Sequence, residues 1–188
     1  MEILDLRVYT DGACTAKKIG GWAYILICEY KNKGVIKRDL RAYRNAGANM
    51  TNQKAELMAV LSALKNFTKP AKFTICSDSA YIVNCMQQGW YKKWLRNGWR
   101  NSSGDPVANQ ELWMQVIHLA DKHEVTFEKV KGHNGDQWNE LADELAKQAI
   151  IDYEDHHSIP FDAGDRILGL KDGKYLGETY DLAPLLQR

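Results

Sequence analysis

Three runs near the N-terminus have the pattern of β-strands: the first and, more weakly, the third alternate apolar and polar residues, and the second is a continuous apolar run. In the first run Leu4, Leu6 and Val8 share one face. Gly20-Gly21 indicates a turn after that run, and a polar Lys-Asn-Lys-Gly segment of hairpin composition separates the other two. The pattern therefore predicts an antiparallel three-stranded meander over residues 3–10, 22–30 and 35–43.

The spacing changes to that of a helix over residues 54–67. Apolar side chains there recur every three or four positions, and Pro70 stops the pattern. Similar patterns predict helices over 79–87, 109–123 and 137–151 and short strands over 73–77 and 125–130. Three antiparallel strands followed by alternating helices and strands predict an α/β fold, with a five-stranded mixed sheet and helices on both faces.

The alternation of elements ends near residue 151. Residues 155–160 have the composition of a linker, and Asp172-Gly173 between two apolar runs is typical of a hairpin turn. A length of 188 residues suits one domain with a short appendage. We therefore expect a main domain over residues 1–151 and an acidic C-terminal extension with a β-hairpin over residues 152–188.

The composition is that of a soluble globular protein, with 45% apolar and 26% charged residues. No apolar stretch approaches the roughly 18 residues of a membrane span, and the N-terminus has no signal-peptide pattern. The four cysteines lack the CxxC spacing of zinc sites. We expect a cytoplasmic protein without membrane contact.

Charge is unevenly distributed along the chain. The net charge is +1, but residues 150–188 carry −4, so the remaining chain carries +5. A mildly basic body permits a polyanionic partner without requiring one.

Four acidic residues occupy the ends of predicted elements: Asp11, Glu56, Asp78 and Asp143. Taken singly, each has an ordinary structural explanation as a turn former, a helix cap or a partner of the helix dipole. Clustered carboxylates repel one another, and a divalent cation removes that repulsion. Four acids without matching histidines or cysteines favour magnesium or manganese over zinc.

The residues around these acids resemble the ribonuclease H type 1 family over roughly residues 3–150. The resemblance lies in four motifs that occur in the family's order and spacing: Tyr9-Thr10-Asp11-Gly12-Ala13-Cys14, Met50-Thr51-Asn52-Gln53-Lys54-Ala55-Glu56-Leu57, Ser77-Asp78-Ser79, and Lys131-Gly132-His133-Asn134-Gly135 through Asn139-Glu140-Leu141-Ala142-Asp143. The resemblance implies a ribonuclease H-like fold and an endoribonuclease that cleaves the RNA strand of RNA–DNA hybrids.

The resemblance also implies the roles of the site residues. Asp11, Glu56, Asp78 and Asp143 would be catalytic carboxylates that bind two Mg²⁺ ions, for which Mn²⁺ can substitute. In-line attack of water on phosphorus would leave a 5′-phosphate and a 3′-hydroxyl. His133, on a loop beside the site, would handle protons and assist product release; without the family context it would be an ordinary surface histidine.

Two further groups of residues are candidates for holding the substrate. Between residues 89 and 105, basic side chains that can neutralise phosphates alternate with indoles that can lie against sugars or bases. The alternative is that this segment forms a corner between two helices and that its tryptophans belong to the core. The candidates there are Trp90, Lys92, Lys93, Trp94 and Arg96. For the 2′-hydroxyl of RNA the resemblance implies Gly12, Cys14, Thr51, Asn52 and Gln53.

The sequence departs from the family at three places near this site. Gln53 stands where many members have Asn, and Ala80 follows Asp78-Ser79 where a Gln is common. The loop after Cys14 contains Lys17 and Lys18, which offer an alternative contact with phosphate.

Two other functions stay open at this point, a catalytically weak hybrid-binding module and a DNA nuclease of the same superfamily. We expect a monomer in each case.

Overall fold

The computed structural model describes residues 2–131, 136–158, 170–171, 174–175 and 178–181. Its strands are β1 (Glu2–Cys14), β2 (Gly20–Asn32), β3 (Val35–Gly47), β4 (Lys72–Ser77), β5 (Glu124–Lys129), β6 (Leu170–Lys171), β7 (Lys174–Tyr175) and β8 (Glu178–Asp181). Its helices are α1 (Asn52–Lys65), α2 (Ala80–Gln88), α3 (Trp90–Arg96), α4 (Gln110–Ala120) and α5 (Gln137–Ser158). None of the helices in the described ranges is long and apolar enough to cross a membrane.

The strands form a mixed sheet in the order β5-β4-β1-β2-β3-β8. β1, β2 and β3 make the predicted antiparallel meander, whereas β4 runs parallel to β1 and β5 runs parallel to β4. The prediction of a mixed sheet is confirmed for its first five strands. β8 adds a sixth strand, antiparallel to β3, that the sequence analysis did not predict.

Helices cover both faces of the sheet, as predicted. On one face α1 buries Leu57, Val60 and Leu64 against a core that includes Val8 and Ile75. On the opposite face α5 packs across β1, β2 and β3, and a smaller cluster of apolar residues forms there: Tyr9, Ile25, Ile27, Leu40, Ala42, Cys76, Val130 and Ala142.

The turn predicted at Gly20-Gly21 is wrong, because both glycines lie inside β2. A Cβ atom at Gly21 would lie 2.0 Å from the carbonyl oxygen of Ala146, so this position must be glycine for α5 to rest on the sheet. The actual reversal lies between Thr15 and Ile19, closed by a 2.9 Å hydrogen bond from the Thr15 amide to the Ile19 carbonyl.

The linker predicted over residues 155–160 is wrong at its start, because α5 continues to Ser158. Asp152, on the added turns, forms a 2.7 Å ion pair with the largely buried Arg44 of β3. This tertiary contact stabilises helix beyond the point where the apolar periodicity ends. The predicted hairpin turn at Asp172-Gly173 lies outside the described residues, and β6 and β7 on either side of it pair antiparallel.

Candidate active site

The site begins where β1 ends against the first turn of α1. Thr51 caps this helix, its hydroxyl accepting a 3.2 Å hydrogen bond from the Lys54 amide. A Cβ atom on Gly12 would lie 2.3 Å from the amide nitrogen of Glu56, so only glycine permits this approach. The contact places Asp11 beside Glu56. The prediction that the first strand ends at Asp11 is wrong, because β1 continues to Cys14.

Asp78 reaches the same place through the parallel pairing of β1 and β4. Thr10 lies opposite Ser77 in that register, so Asp11 of β1 and Asp78, the residue after β4, lie side by side at the carboxyl end of β4. Asp11, Glu56 and Asp78 each present a carboxylate oxygen within 4.8 Å of the others.

Burial makes ionisation of the carboxyl groups in this cluster unfavourable. Asp11 is 6% exposed, and its desolvation, followed by the charges of Asp78 and Asp143, raises its pKa to about 7 despite a 2.7 Å hydrogen bond from the Gly12 amide. Desolvation, followed by the charges of Asp11 and Asp78, also raises the pKa of Glu56 well above its usual range.

One oxygen of Glu56 supports a cation site directly. Its Oε2 is buried and accepts no hydrogen bond from any described group. A buried, partnerless carboxylate oxygen next to two further carboxylates fits a hard divalent cation, which prefers oxygen ligands.

Asp143 lies beside the cluster on α5 and is not one of the three residues with converging oxygens. Its charge contributes to the raised pKa of Asp11, so it lies within electrostatic reach of that carboxylate. Its Oδ2 accepts a 2.6 Å hydrogen bond from Lys147, one turn further along the helix. The sequence analysis missed Lys147, although its four-residue spacing from Asp143 was visible.

His133 lies outside the described residues, as do the three other residues of 132–135. The chain enters this segment beside Asp78, because the Val130 amide donates a 3.1 Å hydrogen bond to the Ser77 carbonyl. It leaves at Asp136, whose Oδ1 accepts a 3.1 Å hydrogen bond from the Trp138 amide and caps α5.

The residues predicted to recognise RNA surround the start of α1. Gly12 and Cys14 belong to the end of β1, and the Cys14 thiol donates to the Met50 carbonyl at 3.4 Å. Thr51 and Asn52 are exposed, and Gln53 is half-buried.

Polar neighbours constrain two of the candidate substrate contacts. The side-chain oxygen Oε1 of Gln53 accepts a 3.4 Å hydrogen bond from the side-chain amide of Asn109, which the sequence analysis missed. The Lys17 ammonium pairs with Glu154 of α5 at 3.4 Å, so a substrate phosphate would compete with that carboxylate.

The basic segment forms α3, and its side chains divide between surface and core. Lys92, Lys93 and Arg96 are exposed and Trp90 is half-buried. Trp94 is only 6% exposed and packs against Trp99 and Trp113, with ring centroids 5.9 and 5.5 Å away. The structure therefore favours the core explanation for Trp94 and leaves Trp90 as the accessible indole.

A cavity of about 690 Å³ extends from the start of α1 to α3. Residues from three segments line it, among them Gln53, Trp90, Lys93, Arg100, Ser102 and Val107. The Arg100 side chain donates a 2.7 Å hydrogen bond to the Gly104 carbonyl, which holds it along the loop that follows α3. The cavity thus joins the carboxylate side of the molecule to its basic helix.

The sequence of the chain matches the RNase H family model over residues 4–151. A ribonuclease H of Syntrophomonas wolfei is 45% identical over 148 residues, which are 78% of this chain and 96% of the relative. A ribonuclease H of Chlorobaculum parvum is 42% identical over 146 residues, which are 77% of this chain and 94% of the relative. Residues 152–188 lie outside the range matched by the family model.

A solved structure gives the same result for the fold. The crystal structure of a type 1 RNase H with the type 2 active-site motif superposes with a TM-score of 0.67 at 27% identity, covering 77% of this chain and 71% of the other.

Proposed function

The chain belongs to the ribonuclease H family, and from this premise we propose that it is an endoribonuclease that hydrolyses the RNA strand of RNA–DNA hybrids. The observation that carries the proposal is the convergence of Asp11, Glu56 and Asp78, with carboxylate oxygens within 4.8 Å of one another. A protein that only bound nucleic acid would gain nothing from carboxylates facing phosphate, because the two repel.

These carboxylates, with Asp143, are the proposed ligands of two Mg²⁺ ions, for which Mn²⁺ can substitute. When bound, such ions lower the pKa of a water nucleophile and stabilise negative charge on phosphorus and on the leaving 3′ oxygen. The expected products are a 5′-phosphate on one RNA fragment and a 3′-hydroxyl on the other.

The protein's own groups prepare this site. Gly12 fixes the distance between Asp11 and Glu56, and the Gly12 amide orients one Asp11 oxygen. The Lys147 ammonium offsets part of the negative charge at Asp143. His133 keeps its proposed role in proton transfer and product release, for which an imidazole with a pKa near neutrality is suited.

Two surfaces are proposed to hold the two strands. The end of β1 and the start of α1, with Gly12, Cys14, Thr51, Asn52 and Gln53, border the carboxylates and would contact the RNA 2′-hydroxyls. The cavity beside α3 would take the DNA strand, with Trp90 against sugars or bases and Lys92, Lys93 and Arg96 near phosphates.

We further propose that residues 1–151 are the catalytic domain, that residues 152–188 are an extension not required for chemistry, and that the protein acts in the cytoplasm as a monomer. The match of the family model to residues 4–151 supports this division.

The decisive experiment compares end-labelled RNA–DNA hybrid, duplex DNA and duplex RNA under single-turnover conditions with magnesium. We expect cleavage of the hybrid's RNA strand alone, with 5′-phosphate ends, and a loss of at least about 1000-fold in rate for Asp11→Asn. Asp121→Asn, an exposed carboxylate at the end of α4, is the matched control.

Each alternative predicts a different result in that assay. A hybrid-binding module would retain the hybrid in a gel shift without cutting it, and a DNA nuclease would cut duplex DNA. Unchanged cleavage by Asp11→Asn would contradict the proposed site itself.

A further inference from the structure

The outer edge of β3 is only partly covered by another strand. β3 has thirteen residues, and β8 pairs with the four from Arg41 to Arg44. No other strand of the described chain pairs with that edge. The open part includes Val35 and Ile36, which are 58% and 66% exposed.

A strand edge of this kind accepts further strands. The outward amides and carbonyls of an uncovered strand edge have no strand partner, and exposed apolar side chains beside such an edge favour pairing with another chain. Proteins usually shield such edges, and here the strand that does so comes from the segment beyond the family match.

The register of the pair places opposite charges across from each other. In the backbone register Arg41 lies opposite Asp181, and Arg44, which also pairs with Asp152 of α5, lies opposite Glu178. Directly opposed residues of an antiparallel pair are neighbours, and opposite charges there are favourable. β7 also lies close to β3.

We propose that the outer edge of β3 is a strand-acceptor surface and that the C-terminal extension is its occupant, pairing in cis and shielding the edge from a second copy of the chain. This function is separate from hydrolysis, because no residue of the acceptor or of β8 belongs to the carboxylate cluster. Its failure would leave the proposed activity untouched.

Proline substitutions in β8 test the backbone pairing in the full-length chain. Consecutive residues of a strand aim their amides to opposite sides, so of Thr179 and Tyr180 one donates toward β3 and the other away. Thr179→Pro and Tyr180→Pro are therefore each other's matched control.

The measurement is amide hydrogen exchange along β3, in which the amides that face β2 serve as an internal reference for those that face β8. Within residues 41–44 alternate amides face β8 and the others face β2. We expect the β8-facing amides to exchange at least about tenfold faster in one proline variant, with the β2-facing amides unchanged. Faster exchange of the β8-facing amides in both variants would also support the pairing, through the bulk of the ring.

Two results would overturn the proposal. Wild-type exchange in both proline variants would show that β8 does not protect the edge. Equal acceleration at every β3 amide would show general loosening of the sheet.

Charge reversal tests the register independently. Asp181→Lys places like charges opposite each other and should speed exchange of the β8-facing amides about two- to fivefold, and adding Arg41→Glu should restore it. If the double variant exchanges as fast as Asp181→Lys alone, the register is wrong.

When β8 no longer covers the outer edge of β3, we expect the protein to self-associate through that edge. Sedimentation of the disruptive proline variant should show concentration-dependent dimers, whereas the wild type should stay monomeric. A disruptive proline that leaves the protein monomeric at all concentrations would contradict the shielding role. Hybrid cleavage should be unchanged in every variant.

Discussion

The carboxyl groups of Asp11 and Glu56 lie where water solvates them poorly. Desolvation is the largest cause of the raised pKa of each, and neighbouring carboxylates are the next. A cluster of this kind is unfavourable in a metal-free protein and becomes favourable when a cation binds. The same arrangement therefore makes the fold sensitive to pH and selective for cations.

The metal-free protein should lose stability as the pH rises. Asp11 titrates near 3.9 when unfolded and at about 7 when folded, so between these values the folded state binds more protons. The unfolding free energy then falls with rising pH, by at most about 1.4 kcal/mol per pH unit for each such group. Urea unfolding in the presence of a chelator, repeated from pH 4.5 to 8, measures this pH dependence of the unfolding free energy.

Asp11→Asn should flatten that profile, because its amide does not ionise. Asp121→Asn, far from the cluster, should keep the wild-type slope. Parallel profiles for wild type and Asp11→Asn would mean that Asp11 is not buried among charges as described.

Lys147 should weaken cation binding while it offsets the charge of Asp143. Its ammonium lies 2.6 Å from Asp143, and its pKa is raised by that hydrogen bond first. Lys147→Gln should lower the half-saturating Mn²⁺ concentration for hybrid cleavage by about two- to fivefold, since a competing positive charge is removed. Lys122→Gln is the control, and a higher half-saturating concentration would contradict this role.

At the scale of elements, two close approaches build the site. Gly12 brings β1 to α1, and Gly21 brings β2 to α5, the helix that carries Asp143. In both places a side chain would collide with backbone, which cannot move aside as a flexible side chain can. The positions of the carboxylates thus depend on residues that have no side chain.

Gly12→Ala tests this dependence. Its Cβ atom would lie 2.3 Å from the Glu56 amide and 2.4 Å from the Ala55 carbonyl carbon, so α1 must shift. We expect a loss of about 1–3 kcal/mol in unfolding free energy and at least a 100-fold fall in kcat. At Gly47 the nearest atom to a new Cβ is a Trp22 ring carbon at 3.6 Å, so Gly47→Ala is the control. Normal kcat in Gly12→Ala would show that the close contact is not needed.

α3 should contribute to the affinity for the substrate and not to the chemical step. Each phosphate contact adds about 0.9 to the slope of log affinity against log salt, so losing three should flatten the salt dependence of KM. The variant Lys92→Gln/Lys93→Gln/Arg96→Gln should raise KM about tenfold or more with kcat within about twofold. The control neutralises three exposed lysines at the far ends of α1 and α4: Lys65, Lys69 and Lys122. A fall in kcat alone would contradict the assignment.

Sequence patterns predicted these elements well where the pattern is local. The strand patterns and the helical spacing of α1 depend on neighbouring residues, so the sequence alone revealed them. The turn predicted at Gly20-Gly21 is wrong because glycine is equally compatible with a turn and with a close contact between a strand and a helix. The end of α5 depends on Arg44 and the burial of Trp94 depends partly on Trp113, and each of these partners is distant in sequence.

At the scale of the whole molecule, the same limit applies to the sheet. A four-residue strand such as β8 carries too little pattern to choose a partner, so its place beside β3 was visible only in the structure. The five other strands of that sheet belong to the family match, and β8 does not.

The carboxylate cluster also links cation binding to the stability of the whole fold. A ligand that binds only the folded state adds about 3 kcal/mol at a hundred times its Kd, which is roughly 5–10 °C in Tm for a chain of this size. Mn²⁺ should therefore raise the Tm of the wild type at neutral pH, and a chelator should reverse the rise. Asp11→Asn and Glu56→Gln should start with a higher metal-free Tm, because each removes a desolvated charge, and should gain little from Mn²⁺. Asp121→Asn should behave as wild type. Equal Mn²⁺-dependent shifts in all these proteins would place the stabilising ion elsewhere than between β1, α1 and β4.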